Sequence, residues 1–486
     1  MVNGWNAEIP AHLFDSFYID GAWTRGGSGN LKQIISPATG DVTFAAPLAD
    51  ASEMDRAITA AKNAFENGPW PKLSPQRRSI FMHRLADRLS ERLPIAVRIW
   101  TAQVGAPISL TNRLAPLSTM RLRYFADLAA SFDFETERST QRGHAKVISE
   151  PIGPAALIIP WNAALPILMT KLGAALAAGC TCIIKSSPES PLDAMLVAQC
   201  AHEVGIPPGV INVILADADM SSRLVSSYDV PKVSFTGSLA VGRTIASTVA
   251  GRMGRLTMEL GGKSAAILLE DADVNQAMAT LDQFSMPFSG QFCFSQSRIL
   301  IPRAREDELV TTIAARIGNL KVGDPWDETT RVGPVLNNRQ FERAMGYILG
   351  SVADGAEIVC GGKRSSFSDK GYYIEPTIIR NVDPNSDIAR EEVFGPVVTI
   401  HAYDTQDEAV EIANSTDFGL CGTVFGNPAT AYTVARRVRT GQIAINGMEL
   451  TPTVPFGGFK MSGFGREGGP EGVQAFLETK AVIFPS

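Results

Sequence analysis

The chain has 486 residues, of which 45% are hydrophobic and 19% charged, and its formal net charge is −6. That length exceeds one ordinary core and calls for two or three domains, and the composition excludes a disordered chain. The mildly acidic balance argues against a nucleic-acid-binding surface, and six cysteines are too sparse for a disulfide framework or a paired zinc cluster.

In chain order, the first residues lack a basic region followed by an apolar run, so no secretory leader is expected and a cytoplasmic setting is the default. Residues 76–93 read as an amphipathic helix whose many basic residues form a solvated face. Residues 142–150 read as a polar-flanked strand suited to extending a neighbour's sheet. Residues 151–170 carry no charge, which is long enough to resemble a membrane span, but four prolines interrupt them. A buried strand at 155–159, a turn at Pro160-Trp161-Asn162 and a helix at 164–178 closed by Gly179 fit better, and no membrane partner is expected. A strand at 180–184 completes a βαβ unit, in which Cys180 and Cys182 are core residues. The pattern repeats with a helix at 191–203, strands at 210–215 and 232–235, a helix at 239–250 and a strand at 265–269. Such alternation predicts an α/β fold with a parallel, Rossmann-like sheet that binds ligands at the C-terminal ends of its strands. A second α/β stretch spans about 271–448, with helices at 305–320 and 405–414 and strand-like runs at 371–379 and 390–403.

Three motif matches carry no function. Gly463, Gly465 and Gly468 fit G-x-G-x-x-G, but no strand precedes them and too little chain follows. His202-Glu203 starts a zinc-protease pattern that Ile206 breaks, and Asn414 opens a glycosylation sequon without a secretory context.

Three other positions carry chemistry when read together. Cys293 follows Gly290 and Gln291, a tight backbone suited to presenting a thiol. A free thiol is only a few per cent ionised at neutral pH, so a lone cysteine is more simply a core residue unless it has partners. Glu259 lies between Met258 and Leu260 at a strand, where burial would raise its pKa toward that of a general base; a structural salt bridge is the competing reading. Asn162, in a strand-end turn, is placed to donate to an oxyanion, or merely to form the turn.

The ordered set PWN at 160–162, Lys185, FTGS at 235–238, MELGGKS at 258–264, GQ-x-C at 290–293, EEVFGP at 391–396 and PFGG-x-KMSG at 455–463 resembles the NAD(P)-dependent aldehyde dehydrogenase superfamily. The resemblance covers almost the whole chain. It implies Cys293 as nucleophile, Asn162 with the Cys293 N–H as oxyanion donors, Glu259 as the base for water, and Glu467 as a second carboxylate in proton transfer. It implies cofactor contacts from Ile158, Pro160, Trp161, Lys185, Ser187, Glu189, Gly237, Ser238, Gly242, Leu260, Glu392 and Phe394, with no metal. A cofactor domain at 1–130 and 151–258, a catalytic domain at 259–469 and an oligomerisation arm at 131–150 and 470–486 follow, as does a homodimer or homotetramer. Glu478 should lie between Arg255 and Arg466.

The chain departs from the family pattern where Pro188 replaces a ribose-binding glutamate, with Glu189 one step later, so NAD preference with some NADP use is expected. Ala163 and Thr170 stand where many members carry large aromatics. With Phe288, Phe292, Phe294 and Phe456 as an aromatic wall, they predict a wide, apolar, uncharged tunnel for a long-chain, terpenoid or aryl aldehyde. The alternatives are a coenzyme A-acylating dehydrogenase, which usually lacks the base at the position of Glu259, and a dehydrogenase of small or charged semialdehydes.

Overall fold

The computed structural model describes residues 4–27 and 29–485. Its largest sheet has eight strands, in the order Gly463–Phe464, Arg255–Glu259, Lys232–Thr236, Ala155–Ile158, Cys182–Ser186, Ile211–Leu215, Ser16–Ile19 and Ala22–Arg25. The five central strands run parallel, and the outer ones join antiparallel. Strands Ala155–Ile158, Cys182–Ser186 and Ile211–Leu215 are buried at every position. Helices cover both faces of such a sheet, which is why these strands read as unbroken apolar runs rather than alternating ones. Helix Ala164–Ala178 is buried almost throughout and ends on Gly179, whose φ of 98° is the left-handed cap that glycine supplies without strain. Cys180 and Cys182 are fully buried beside it.

A second sheet has seven strands, in the order Glu357–Cys360, Thr377–Arg380, Val397–Tyr403, Gln296–Pro302, Ser264–Leu268, Cys421–Phe425 and Gln442–Ile445. Only the Glu357–Cys360 strand is antiparallel. A three-stranded antiparallel sheet, Leu477–Pro485, Gly143–Pro151 and Glu135–Thr140, is mostly exposed, including Ile483 and Phe484. Among the described residues no helix is long and apolar enough to cross a membrane.

The elements that sequence periodicity predicted lie within two residues of observed ones, apart from two strands, but it left about half of the strands unread, among them Ser16–Ile19, Gln296–Pro302, Cys421–Phe425 and Leu477–Pro485. It missed helix Ala218–Ser226, and it extended strands too far at two places. Residues 371–376 and 391–396 are loops, because Pro376 and Pro396 lack the N–H that a ladder needs; the strands begin after them. The basic helix, Pro75–Glu91, is also not solvated throughout: Arg78 is buried and donates to the carbonyls of Ala177 and Leu73, at 3.2 and 2.8 Å.

Candidate active site

Asn162, Thr236 and Glu259 all follow or end parallel strands of the eight-stranded sheet, so they gather at the C-terminal edge. Cys293 comes from the other side, on the loop that leads into strand Gln296–Pro302 of the seven-stranded sheet. The four residues line one cavity.

Glycines explain how the segments come so close. A Cβ on Gly262 would sit 2.3 Å from the Cys293 carbonyl oxygen, and one on Gly290 would sit 2.1 Å from the Gly395 carbonyl oxygen. The MELGGKS and EEVFGP segments can therefore pack against the cysteine loop only without side chains at those points. Gln291, fully buried, clamps the same loop: its side-chain oxygen accepts from the Leu336 N–H at 2.9 Å and its amide donates to the Phe288 carbonyl at 3.0 Å.

The Asn162 side-chain amide donates to the Gln291 carbonyl at 2.8 Å, which fixes its orientation and leaves its second N–H for the cavity. The Asn162 carbonyl accepts from the Trp100 indole N–H at 2.8 Å, so the turn is held from both ends. Glu259 is buried, and neither carboxylate oxygen has a hydrogen-bond partner among the described residues. Burial, reinforced by the nearby Glu467 carboxylate, pushes its pKa well above the usual carboxylate range, while Lys171 and Arg466 oppose the shift. Burial likewise pushes the Cys293 thiol up, with Glu392 and Glu259 adding to the effect. Glu467 is held by the buried Lys171 ammonium and by the Ser234 hydroxyl, and its backbone pairs with that of Phe456.

The expected cofactor contacts fall along the same strand ends. Ile158, Pro160 and Trp161 follow one another at the end of Ala155–Ile158. Lys185 is the penultimate residue of the next strand, with Ser187 and Glu189 just beyond its end; Ser187 donates to the Glu189 carboxylate, which also lies 3.6 Å from Lys32. Burial lowers the Lys185 pKa to about 8, and its ammonium has no hydrogen-bond partner among the described residues. Gly237 follows strand Lys232–Thr236, Ser238 caps helix Leu239–Gly251, and Gly242 lies in that helix against Leu260. Glu392 accepts from the Gly262 N–H at 3.1 Å, and burial raises its pKa to about 7. Phe394 meets Trp161 edge-on with ring centroids 5.7 Å apart.

Of the expected substrate wall, Ala163, Thr170, Phe292, Phe294 and Phe456 line the cavity. Phe292 and Phe294, on either side of Cys293, stack with centroids 4.9 Å apart. Phe288 does not reach it: it is fully buried behind Phe292 and Trp161, in a left-handed turn at φ 53°. Nor is the wall uncharged, because Arg121 forms part of it. Glu478 pairs with Arg255 at 2.6 Å, both about half exposed, but Arg466 instead donates to the carbonyls of Gly458 and Gly465.

Sequence reasoning missed Lys171, Trp100 and Arg121. Lys171 had a readable signal, as the lone charge in the apolar helix Ala164–Ala178, where an ion must find a partner. Trp100 and Arg121 sit on helices Leu93–Val104 and Pro116–Ser131, far from every motif.

A profile described as the aldehyde dehydrogenase family matches residues 23–482. A geranial dehydrogenase of Castellaniella defragrans is 40% identical over 468 residues, covering 96% of this chain and 98% of its own. A 3-succinoylsemialdehyde-pyridine dehydrogenase of a Pseudomonas species is 37% identical, covering 97% and 98%. Among solved structures, a Cys-to-Ala variant of aldehyde dehydrogenase C from Pseudomonas syringae, complexed with NAD+ and octanal, superposes with a TM-score of 0.94 at 38% identity, covering 98% of each chain. A Mycobacterium tuberculosis aldehyde dehydrogenase complexed with NAD+ has a TM-score of 0.95 at 37% identity, covering 97% of this chain and 98% of its own.

Proposed function

The chain belongs to the aldehyde dehydrogenase family, whose members oxidise aldehydes, and on that premise we propose that its substrate is a bulky, largely apolar aldehyde and its cofactor NAD+. One observation carries the reading: Cys293, Asn162 and Glu259 open into a single cavity whose other walls are chiefly apolar, among them Trp100, Leu117, Ile167, Phe292, Phe294 and Phe456. The octanal and NAD+ in the Pseudomonas syringae neighbour and the geranial named for the Castellaniella relative support it.

The residues present fit a dinucleotide. Lys185 has a buried side chain whose accessible ammonium lacks a hydrogen-bond partner among the described residues, and Ser238 opens a helix of thirteen residues at the end of a parallel strand. Lys185 and Glu189 would hold the adenosine ribose, Ser238 and the helix N-terminus the pyrophosphate, and Glu392 the nicotinamide ribose. When bound, the nicotinamide supplies the hydride acceptor.

The Cys293 thiol gives its proton to the Glu259 carboxylate, which passes it on to solvent, and the sulfur bonds to the aldehyde carbon as the carbonyl π bond opens onto oxygen. Asn162, oriented by Gln291 and Trp100, and the Cys293 N–H stabilise that oxygen. Loss of hydride from carbon leaves a thioester on Cys293. Glu259 then takes a proton from water as the water attacks the thioester, and Glu467, held by Lys171 and Ser234, is the neighbouring carboxylate able to receive it; the carbon–sulfur bond breaks, releasing the carboxylic acid and returning the sulfur to Cys293. A base at Glu259 favours water over coenzyme A as the acyl acceptor. The three-stranded arm, with its exposed apolar edge, is assigned to subunit association as a dimer or tetramer, and the setting to the cytoplasm.

The test is a panel of aldehydes followed by NADH absorbance. Each buried methylene contributes about 0.8 kcal/mol, so octanal, citral or benzaldehyde should exceed acetaldehyde in kcat/KM by roughly one to two orders of magnitude. Acetaldehyde or succinic semialdehyde outperforming all three would overturn the reading.

A further inference from the structure

Three arginines have pKa values that burial lowers to about 10: Arg78, Arg121 and Arg298. Two of them are well provided for. Arg298 donates to the carbonyls of Lys263, Ile412 and Ala413 at 3.0, 2.7 and 2.8 Å, and Arg78 to those of Ala177 and Leu73. Arg121 has one acceptor, the Pro166 carbonyl at 2.8 Å. That oxygen is shared, since it also accepts from the Thr170 hydroxyl at 3.1 Å. Among the described residues no carboxylate lies within ion-pair distance of Arg121; Glu467 and Cys293 are near enough only to favour its charge. A guanidinium carries five donors, and removing it from water is costly unless they are met. Arg121 lines the same cavity as Cys293, and none of its nitrogens is sealed away from open space without a partner.

We propose that Arg121 determines specificity: its guanidinium forms a polar subsite in the tunnel that takes an oxygen acceptor, in its strongest form a carboxylate, carried by the substrate beyond the aldehyde carbon. The proposal rests on the reading of the cavity as the aldehyde tunnel. It refines the substrate class to an apolar chain with an oxygen-bearing far end. The planar fork of an arginine suits a carboxylate or ester oxygen better than a lysine would.

The experiment compares three aldehydes of one chain length: nonanal, its ω-carboxy analogue, and the methyl ester of that analogue. Each is assayed with the intact enzyme and with Arg121→Met and Arg121→Lys. A charge-assisted hydrogen bond predicts that Arg121→Met loses about 10- to 100-fold in kcat/KM on the carboxylate, mostly through KM, and less on the ester. Nonanal should be unchanged or improved, and Arg121→Lys should keep part of the carboxylate turnover. Equal loss on all three aldehydes would overturn the proposal, because it would place Arg121 in positioning the Pro166 turn instead. So would full retention on the oxygen-bearing pair. If Arg121→Met does not fold, the ratio of carboxylate to nonanal in Arg121→Lys gives the same reading. Failure of the bulky-aldehyde assignment shows separately, in the unmodified enzyme, as acetaldehyde outrunning nonanal.

Discussion

The proposed cofactor edge of the eight-stranded sheet is assembled from short turns that directly follow strands, whereas the aldehyde tunnel is walled by side chains from segments far apart in the chain. Along the edge, the turn after Ala155–Ile158, the residues after Cys182–Ser186 and the cap at Ser238 each belong to one contiguous motif. The tunnel draws on helices Leu93–Val104, Pro116–Ser131 and Ala164–Ala178, the loop around Cys293 and the stretch from Leu450 to Phe456. The edge is fixed by backbone geometry. The tunnel is fixed by side-chain volume and charge, and there a change at one point is answered by a residue remote in sequence.

Ala163 and Trp100 show this. Ala163 removes bulk beside the oxyanion turn, and the indole of Trp100 packs in the same apolar cluster, pinned by its bond to the Asn162 carbonyl. A phenyl ring at position 163 cannot displace the pinned indole and must project into the cavity. Ala163→Phe should therefore cost octanal the contribution of about four methylenes, roughly a hundredfold in kcat/KM, and spare acetaldehyde. Steady-state kinetics on the two aldehydes checks it; equal effects on both would mean the ring had disturbed the turn instead.

The cofactor edge should respond more weakly. Glu189 is turned toward Ser187, and its carboxylate acts electrostatically on Lys185. Such a charge disfavours a phosphate on the adenosine ribose, though Lys32 beside it tempers the effect. Glu189→Gln should raise the NADP-to-NAD ratio of kcat/KM by about fivefold, the worth of roughly 1 kcal/mol for charges in water. An unchanged ratio would remove Glu189 from cofactor choice.

The same contrast governs what the sequence made legible. Residues 155–186 were readable because a buried strand, a proline-bearing turn, an apolar helix and a glycine cap each leave a local signature. Cys293 and Glu259 were readable because their motifs include glycines that close packing requires, and Asn162 because its proline-bearing turn directly follows a buried strand. Arg121 and Arg123, two residues apart on one helix, look alike in sequence. Yet Arg123 pairs with Asp87 at 2.6 Å at the surface while Arg121 faces the tunnel. Helix phase and the packing partner decide between them, and no local pattern encodes either one. Phe288 failed for a related reason: the left-handed turn at Phe288 and Ser289 swings its ring away from the thiol.

The central claim is a thioester on Cys293 that Glu259 helps water to cleave. It is tested by mixing Glu259→Gln with NAD+ and octanal and measuring the intact protein mass during turnover. The raised pKa of Glu259 means that the unmodified enzyme should deacylate faster as pH rises and the carboxyl loses its proton. Glu259→Gln should lose that dependence, give a burst of NADH followed by a slow phase, and accumulate an octanoyl adduct that is absent from Cys293→Ala. No adduct, with burst and steady rate falling together, would contradict the account.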